Sequence, residues 1–267
     1  MTHSFSGNAV RLLWTGGWDS TFRLLQLVQT TTVVIEPVYV IDTGRRSTLR
    51  EIEAMARIKR MIVSRYAGAE KRILPHRFYS IHDIAEDQTI TESWSRIKSR
   101  CHIGTQYDWL ARLAKQEKLY GIELCLQARA HDDEPGRVWS PRKSNTLLRR
   151  DDLVGNYRVI DAAMSDRYTL FQYFRFPLLD ITKLEMSDHM LSQGCLDIMM
   201  ETVFCFAPIN GAPCGRCNPC RIVIKEGLGG RMPRATMRRH YLLRLRTAPR
   251  RIAKRVLMPT KTVQGCL

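Results

Sequence analysis

Four cysteines in the C-terminal part of the chain are spaced for metal binding. Cys205 is followed after eight residues by Cys214, Cys217 and Cys220, within the stretch CGRCNPC. Four thiolates in such a span can close a tetrahedron around one metal ion, and the intervening glycine and proline favour the tight turns required. Two consecutive C-x-x-C steps that share Cys217 are not expected of unrelated core thiols. The pattern predicts a structural metal site, and both zinc and an iron–sulfur cluster are compatible with thiolate ligands.

A glycine-containing loop near the N-terminus is a second candidate site. Residues 15–21, which read TGGWDST and are called the glycine loop below, stand between an apolar run and a segment with helical spacing. Glycines let the backbone approach an oxyanion, so that N–H groups and the positive end of the following helix bind it. The hydroxyls of Thr15, Ser20 and Thr21 could add donors. Because the Walker and G-x-G-x-x-G patterns are both missing, the alternative is a tight strand-to-helix connection.

The segments that would position these sites alternate between strand and helix patterns. Apolar or β-branched runs predict strands, whereas apolar residues at helical spacing predict amphipathic helices. Strands are expected at residues 10–15, 33–41, 72–81 and 122–128, and helices at residues 20–28, 48–66, 105–119 and 183–193. The alternation predicts an α/β fold with a parallel sheet covered by helices, in which phosphates bind after the first strand.

The glycine loop resembles the S-G-G-x-D-S loop of the PP-loop ATP pyrophosphatases, with Thr15 keeping the hydroxyl of the first serine. In that family the loop binds the pyrophosphate portion of ATP, and the enzyme transfers AMP to an acceptor oxygen. The resemblance implies that Asp19 and Ser20 are catalytic positions. The implied ATP-binding residues of the loop are Thr15, Gly16, Gly17, Asp19, Ser20 and Thr21.

The glycine loop and the cysteine spacing together are similar to those of the 7-cyano-7-deazaguanine synthases. Three further stretches agree with that family: residues 42–46 (DTGRR) followed by Glu51, residues 176–183 (FPLLDITK) and residues 202–205 (TVFC). The resemblance covers about residues 10–225. It implies a parallel-sheet adenine-nucleotide-binding fold of the HUP and PP-loop type, zinc at the four cysteines, and a contact of Asp42 with ATP.

The chemistry that this resemblance implies is ligation in two stages. ATP adenylates the carboxylate of 7-carboxy-7-deazaguanine, and ammonia displaces AMP to give the amide. A second ATP activates the amide oxygen, and loss of AMP leaves the nitrile. AMP is a better leaving group than hydroxide, and the loop with Mg²⁺ can neutralise the departing pyrophosphate. The expected partners are a deazaguanine-type substrate and an ammonia source, and a homodimer is compatible with them.

The substrate half departs from the family pattern. The segment HDDEPGR, residues 131–137, replaces a Y-P-D-C-R-like element near the purine. Asp132 and Asp133 could hold Mg²⁺ or accept hydrogen bonds from a guanine-like edge, with an acidic surface loop as the alternative. Arg100 stands near the place of an active-site arginine and could contact phosphate or carboxylate. A second hypothesis is therefore another acceptor, such as a tRNA base or a protein terminus, as in antiviral relatives of the family.

The net charge is carried mostly by the C-terminal tail. Of the formal +16, +11 falls in residues 229–267, which contain nine arginines, two lysines and no acidic residue, so that +5 remains on the first 228 residues. With 44% apolar residues the chain can bury a core and is not a disordered polycation. The tail could bind an anionic partner (a nucleic acid, an acidic protein or a membrane surface), or it could pack its leucine face on the body. A non-catalytic, zinc-bearing nucleic-acid-binding protein is the hypothesis from another functional class.

Three regions are expected along the chain. A PP-loop nucleotide-binding domain would span residues 1–200, with a divergent substrate region at 129–168, followed by a zinc knuckle at 201–228 and the basic tail at 229–267. No signal peptide is recognisable, and no segment approaches the roughly 18 to 20 apolar residues of a membrane span. These features predict a cytoplasmic protein without a membrane span.

Overall fold

The structure is a computed structural model that describes residues 9–100, 103–127, 148–151, 156–159 and 165–257. Asp132 and Asp133 lie outside these residues, as does most of the divergent region predicted at 129–168. The glycine loop, the four predicted metal ligands and the elements around them all lie within the described residues.

The described strands form one parallel sheet and one small antiparallel sheet. They are β1 (Ala9–Leu13), β2 (Val34–Ile41), β3 (Arg77–Ser80), β4 (Ile122–Glu123), β5 (Leu148–Asp151), β6 (Asn156–Val159) and β7 (Phe174–Arg175). Five of them pair in parallel in the order β3-β2-β1-β4-β7, and β5 pairs with β6 in antiparallel orientation. The predicted α/β fold with a parallel sheet is confirmed, although β4 has only two residues where a strand at 122–128 was expected.

Helices connect the strands and follow them. They are α1 (Trp18–Thr30), α2 (Thr48–Arg65), α3 (Ala69–Arg72), α4 (Gln88–Arg100), α5 (Gln106–Gln116), α6 (Asp166–Phe171), α7 (Lys183–Ser192), α8 (Leu196–Met200), α9 (Asn218–Lys225) and α10 (Arg234–Leu257). The four predicted helices correspond to α1, α2, α5 and α7, with small differences at their ends. In the described part of the chain, none of the helices is long and apolar enough to cross a membrane.

Alternating side chains of the strands divide the core into two layers. Leu12 of β1 and Ile35 of β2 pack with α1 and α2 in one layer. Leu13 and its pairing partner Val38 point to the opposite face and pack with α4, α5 and α6 in the other layer. Both faces of the parallel sheet are thus covered by helices, as such sheets require.

The strand order reverses next to the glycine loop. β2 and β3 lie on one side of β1, whereas β4 and β7 lie on the other. In open α/β sheets, ligands bind outside the carboxyl ends of the strands at such a point of reversal. Because the glycine loop leaves β1 at its carboxyl end, the fold places the predicted anion cradle at this position.

The predicted knuckle and the start of the tail pack on the body of the protein. Cys214 is fully buried and belongs to the same core layer as α1. In α10, the hydroxyl of Thr236 donates to the Pro213 carbonyl at 3.0 Å, and Nδ1 of His240 lies 2.8 Å from the Gly215 carbonyl oxygen. The first turns of α10 therefore lie against the knuckle, and only the part of the helix that follows them can be a separate tail.

Candidate functional site

Gly16 shapes the turn between β1 and α1. Its φ of +65° lies in the left-handed region that favours glycine. An added Cβ would lie 3.1 Å from Cγ of Met55 and 3.2 Å from the Glu51 carbonyl oxygen, both in α2. The turn thus combines a backbone conformation and a close helix contact that other residues do not tolerate.

The N-terminus of α1 has the form of an anion site. Its N-cap is Gly17, so no side chain caps the N–H groups of the first turn, which have no acceptors within a helix. The 13-residue helix adds the positive end of its dipole. Oγ of Ser20 makes only long contacts within the loop, at 3.4 Å to the Thr15 nitrogen and 3.5 Å to the Gly17 carbonyl. Such contacts are weak, so the hydroxyl can turn to a ligand.

Thr21 belongs to the core rather than to the surface of the loop. Its side chain is fully buried, and its Oγ1 accepts a hydrogen bond from the indole N–H of Trp14 at 3.0 Å. The hydroxyl of Thr21 thus already holds the indole of Trp14 in position. Its contact with ATP stays a prediction.

Charged side chains from distant parts of the chain meet Asp19. Lys183, the first residue of α7, places its Nζ 3.8 Å from Oδ1 of Asp19 and 3.0 Å from Oε2 of Glu226. The amide of Gln127 donates to the other oxygen of Glu226 at 2.8 Å. The side chains of Lys183 and Glu226 are only 13% and 14% exposed. An ammonium group is therefore held beside the glycine loop by two carboxylates, largely away from water.

A second cation, Arg231, reaches the loop from the segment between α9 and α10. Its guanidinium carbon lies 4.5 Å from the ring centroid of Trp18, the first residue of α1, and its Nη2 donates to the Thr202 carbonyl at 2.8 Å. Burial lowers the pKa of Arg231 to about 10, although nearby Asp19 acts in the opposite direction. Lys183 and Arg231 thus place two positive charges near the start of α1.

The four predicted metal ligands lie together. Their Sγ atoms are all within 4.8 Å of one another. Sγ of Cys217 lies 3.4 Å from that of Cys220 and 3.9 Å from that of Cys205, and Sγ of Cys214 lies 3.9 Å from that of Cys220. Tetrahedral zinc with Zn–S bonds of about 2.3 Å needs sulfurs about 3.8 Å apart. The thiol cluster is close enough to hold one metal ion, and its dimensions are consistent with zinc.

Backbone N–H groups donate to two of these sulfurs, and the contact with Cys220 stabilises a thiolate at Cys217. The nitrogen of Cys214 donates to Sγ of Cys205 at 3.1 Å, and the nitrogen of Cys217 donates to Sγ of Cys214 at 3.3 Å. The hydrogen bond between Cys220 and Cys217 lowers the pKa of the Cys217 thiol to about 4 and raises the pKa of Cys220. Because metals bind the thiolate form, such donors favour metal binding.

The knuckle is joined directly to the glycine loop. The nitrogen of Val203 donates to the Gly16 carbonyl at 3.0 Å. Beside it, the guanidinium carbon of Arg45 lies 4.9 Å from the ring centroid of Phe206 and connects the knuckle to the segment after β2. The thiol cluster and the loop therefore belong to one structural unit, although about 190 residues separate them in the sequence.

The remaining predicted site residues have different positions. Asp42 follows β2 at the carboxyl end of the strand, and its Oδ1 accepts the N–H of Gly44 at 2.9 Å. Arg100 is the exposed last residue of α4, which packs in the core layer opposite that of α1. The structure thus places Asp42 at the edge of the sheet that carries the loop, and the role of Arg100 stays a prediction.

Comparison with protein families and with curated proteins identifies no relative. No protein-family model matches the chain, and no curated protein is similar to it in sequence. The family resemblance therefore rests on the motifs and on their order along the chain.

Some residues at the loop are not singled out by the sequence. Lys183 is the exception, because it ends the FPLLDITK stretch that resembles the family and so carries a sequence signal. Gln127 and Glu226 carry no comparable signal, because each is an ordinary polar residue at the end of an apolar segment. Arg231 is one of nine arginines in the tail, and only the packing of the chain distinguishes it from the others.

Proposed function

We propose that this chain is an ATP-dependent ligase that adenylates a carboxylate or amide oxygen and releases pyrophosphate, in the manner of the 7-cyano-7-deazaguanine synthases. The product would be 7-cyano-7-deazaguanine or a related deazaguanine. The observation that carries the proposal is the uncapped N-terminus of α1, which follows a glycine turn at the point where the strand order reverses. The helix dipole, the first turn without a side-chain cap and the position in the sheet all favour a phosphate-bearing ligand there.

The side chains around the loop have distinct roles in this proposal. The hydroxyl of Ser20 joins the first-turn N–H groups as a donor to phosphate oxygens. Lys183 supplies positive charge to the leaving pyrophosphate, and Glu226 fixes the position of its ammonium group. Asp19 offers carboxylate oxygens, which are the ligands that Mg²⁺ prefers, and Asp42 contacts the nucleotide. When bound, Mg²⁺ would neutralise negative charge on the phosphates.

The thiol cluster has a structural role in the same proposal, with zinc as its metal. Four thiolates fill the four positions of a tetrahedral site and leave none for a substrate. The metal would instead hold Val203 and α9 in place, and through them the backbone of the loop and the carboxylate of Glu226.

The test of this function is pyrophosphate release by the full-length, metal-loaded chain with ATP and 7-carboxy-7-deazaguanine, and separately with its amide. We expect release with both compounds and formation of the nitrile when ammonia is added. Asp19→Asn and Ser20→Ala should each lower the rate by about a hundredfold or more, the usual effect of losing one group that stabilises developing charge. The matched controls Asp188→Asn and Ser64→Ala, at the surfaces of α7 and α2, should not change it.

The outcomes separate the hypotheses. If ATP binds and neither deazaguanine supports release, the substrate assignment is wrong and acceptors such as a protein terminus or a tRNA base become the candidates. If folded Asp19→Asn and Ser20→Ala variants are as active as the wild type, the glycine loop is not the site.

The C-terminal helix favours an anionic partner as a second proposal. Residues 229–267 contain no acidic residue, and α10 exposes Tyr241 and Arg244 beyond the part that packs on the knuckle. Truncation after residue 245 removes six positive charges and leaves the contacts of His240 in place. If the partner is a nucleic acid, this truncation should weaken its binding and reduce the salt dependence of the binding constant. Binding of nucleic acid by a chain that binds no ATP would favour a non-catalytic function.

A further inference from the structure

Arg231 lies in the segment that the family resemblance does not cover, yet its side chain contacts Trp18 of the glycine loop. Its guanidinium carbon lies 4.5 Å from the ring centroid of Trp18 and 5.0 Å from that of Phe204. Its Nη2 donates to the carbonyl and the hydroxyl of Thr202, at 2.8 Å and 2.5 Å. A planar guanidinium can stack on aromatic rings and still present N–H groups at its edge, which a compact ammonium group cannot do.

The hydrogen-bonding capacity of this guanidinium is not used up by the contacts that hold it. Its buried Nε has no hydrogen-bond acceptor among the described residues, and the bonds to Thr202 use Nη2. A buried donor without an acceptor costs free energy, and the cost is larger for a charged group. The carboxylate that acts on Arg231 is that of Asp19, which also lies 3.8 Å from Nζ of Lys183. A ligand oxygen that accepts from this Nε would remove that cost, and an anionic oxygen would do so most strongly.

We propose that Arg231 is an anion-binding residue of the glycine loop and donates hydrogen bonds to the phosphate groups of the nucleotide held there. The inference rests on the proposed function, because it assumes that the loop binds a nucleotide. It assigns the loop a second cation besides Lys183, supplied by the start of the basic C-terminal segment. The charge of that segment then has a role in the site as well as any role toward a macromolecular partner.

The experiment measures the affinity of the full-length, metal-loaded chain for inorganic pyrophosphate, ATP and adenosine by calorimetry. Arg231→Lys and Arg231→Gln should lose about ten- to hundredfold in affinity for pyrophosphate and ATP, the effect of a lost charge-assisted hydrogen bond. Their affinity for adenosine, which has no phosphate, should not change. Arg234→Gln is the matched control, because Arg234 is exposed three residues further along the same segment. It should bind all three ligands as the wild type does.

Each outcome decides a different point. If the wild type binds neither pyrophosphate nor ATP, the proposed function fails and this inference fails with it. If the wild type binds both and the Arg231 variants bind them equally well, Arg231 is not an anion ligand and the proposed function stands. If affinity for all three ligands falls together with the melting temperature, Arg231 only holds the segment against the loop, and the inference is overturned.

A measurement on the wild type covers the case in which the variants do not fold. Phenylglyoxal modifies arginine side chains, and mass spectrometry of peptides locates the modified residues. Pyrophosphate should protect Arg231 from modification and leave Arg234 equally reactive. Modification of Arg231 at the same rate with and without saturating pyrophosphate would contradict the inference.

Discussion

The ion pair between Arg23 and Glu123 connects the helix after the glycine loop to the strand across the point of reversal. Nε and Nη2 of Arg23 donate to the two carboxylate oxygens at 2.8 Å and 2.7 Å, and the amide of Asn156 adds a bond to Glu123 at 2.9 Å. The side chains of Arg23 and Glu123 are 8% and 1% exposed. Water cannot replace the partner of either charge, so we expect the pair to behave as a buried unit.

Glu123→Gln keeps the shape of the side chain and removes its charge. Breaking a buried pair by removing one partner costs about 3–5 kcal/mol, because the other charge stays buried without compensation. Glutamine retains one acceptor oxygen for Arg23, so we expect the lower end, about 3 kcal/mol. The double variant Arg23→Met/Glu123→Gln buries no charge. It should lose at least about 2 kcal/mol less than the sum of the two single variants.

Urea denaturation measures these free energies of unfolding, and an exposed pair supplies the control. Arg65 and Asp197 form an equally short bidentate contact, but their side chains are 36% and 52% exposed. Asp197→Asn should therefore cost less than about 1 kcal/mol. The reasoning is refuted if Glu123→Gln costs no more than Asp197→Asn, or if the two single effects at Arg23 and Glu123 simply add.

Three other perturbations test the turn, the titration of a buried ring and the thiol cluster. Gly16→Ala should lower the free energy of unfolding by about 1–3 kcal/mol in urea denaturation, because the new Cβ would sit on a left-handed backbone and lie 3.1 Å and 3.2 Å from two atoms of α2. Gly17→Ala is the control and should cost less, because the φ of Gly17 is −83°. Burial lowers the pKa of His76 from its ordinary 6.5 to about 4, so its contribution to stability is complete above pH 6.5 and is lost as the pH falls towards 4. His76→Phe should abolish this part of the acid-dependent loss in the free energy of unfolding, which is at most about 3 kcal/mol. Denaturation curves at several pH values measure the loss, and the same pH profile in the variant and the wild type would contradict the prediction. Elemental analysis should find one zinc per wild-type chain and per Cys125→Ala chain and much less in Cys217→Ser, and iron with sulfide instead of zinc would overturn the assignment.

The fold was largely predictable because its signal is local. Apolar runs and helical spacing lie within single segments, so β1, β2, α1, α2, α5 and α7 appear near their predicted positions. The fourth strand was predicted too long, since the apolar run at 122–128 continues after the pairing with β7 ends at Glu123. That carboxylate is buried by its pairing with Arg23, 100 residues away, and no local pattern reports such a contact.

The candidate site was predictable only where its residues are neighbours in the sequence. The glycine loop and the four cysteines each occupy one short segment, and the spacing alone indicates their chemistry. Glu226 and Arg231 reach the loop from separate elements, through tertiary packing that periodicity cannot show, and Lys183 is indicated only by the match of FPLLDITK to the family. The net charge was informative about the tail as a whole but not about which of its arginines enters the site.

The positions of these residues link the thiol cluster to the ATP site that we propose. Val203 stands two residues before Cys205, whereas Glu226 and Arg231 follow Cys220 by six and eleven residues. Closing the four thiolates around one ion fixes the start and the end of the knuckle relative to each other. One end then holds the backbone of Gly16, and the other supplies the carboxylate on Lys183 and the guanidinium on Trp18. If the loop binds phosphate as proposed, a metal that touches no substrate would thus set the geometry on both sides of the loop, because a displacement of about 1 Å in a binding site can cost about a hundredfold in rate.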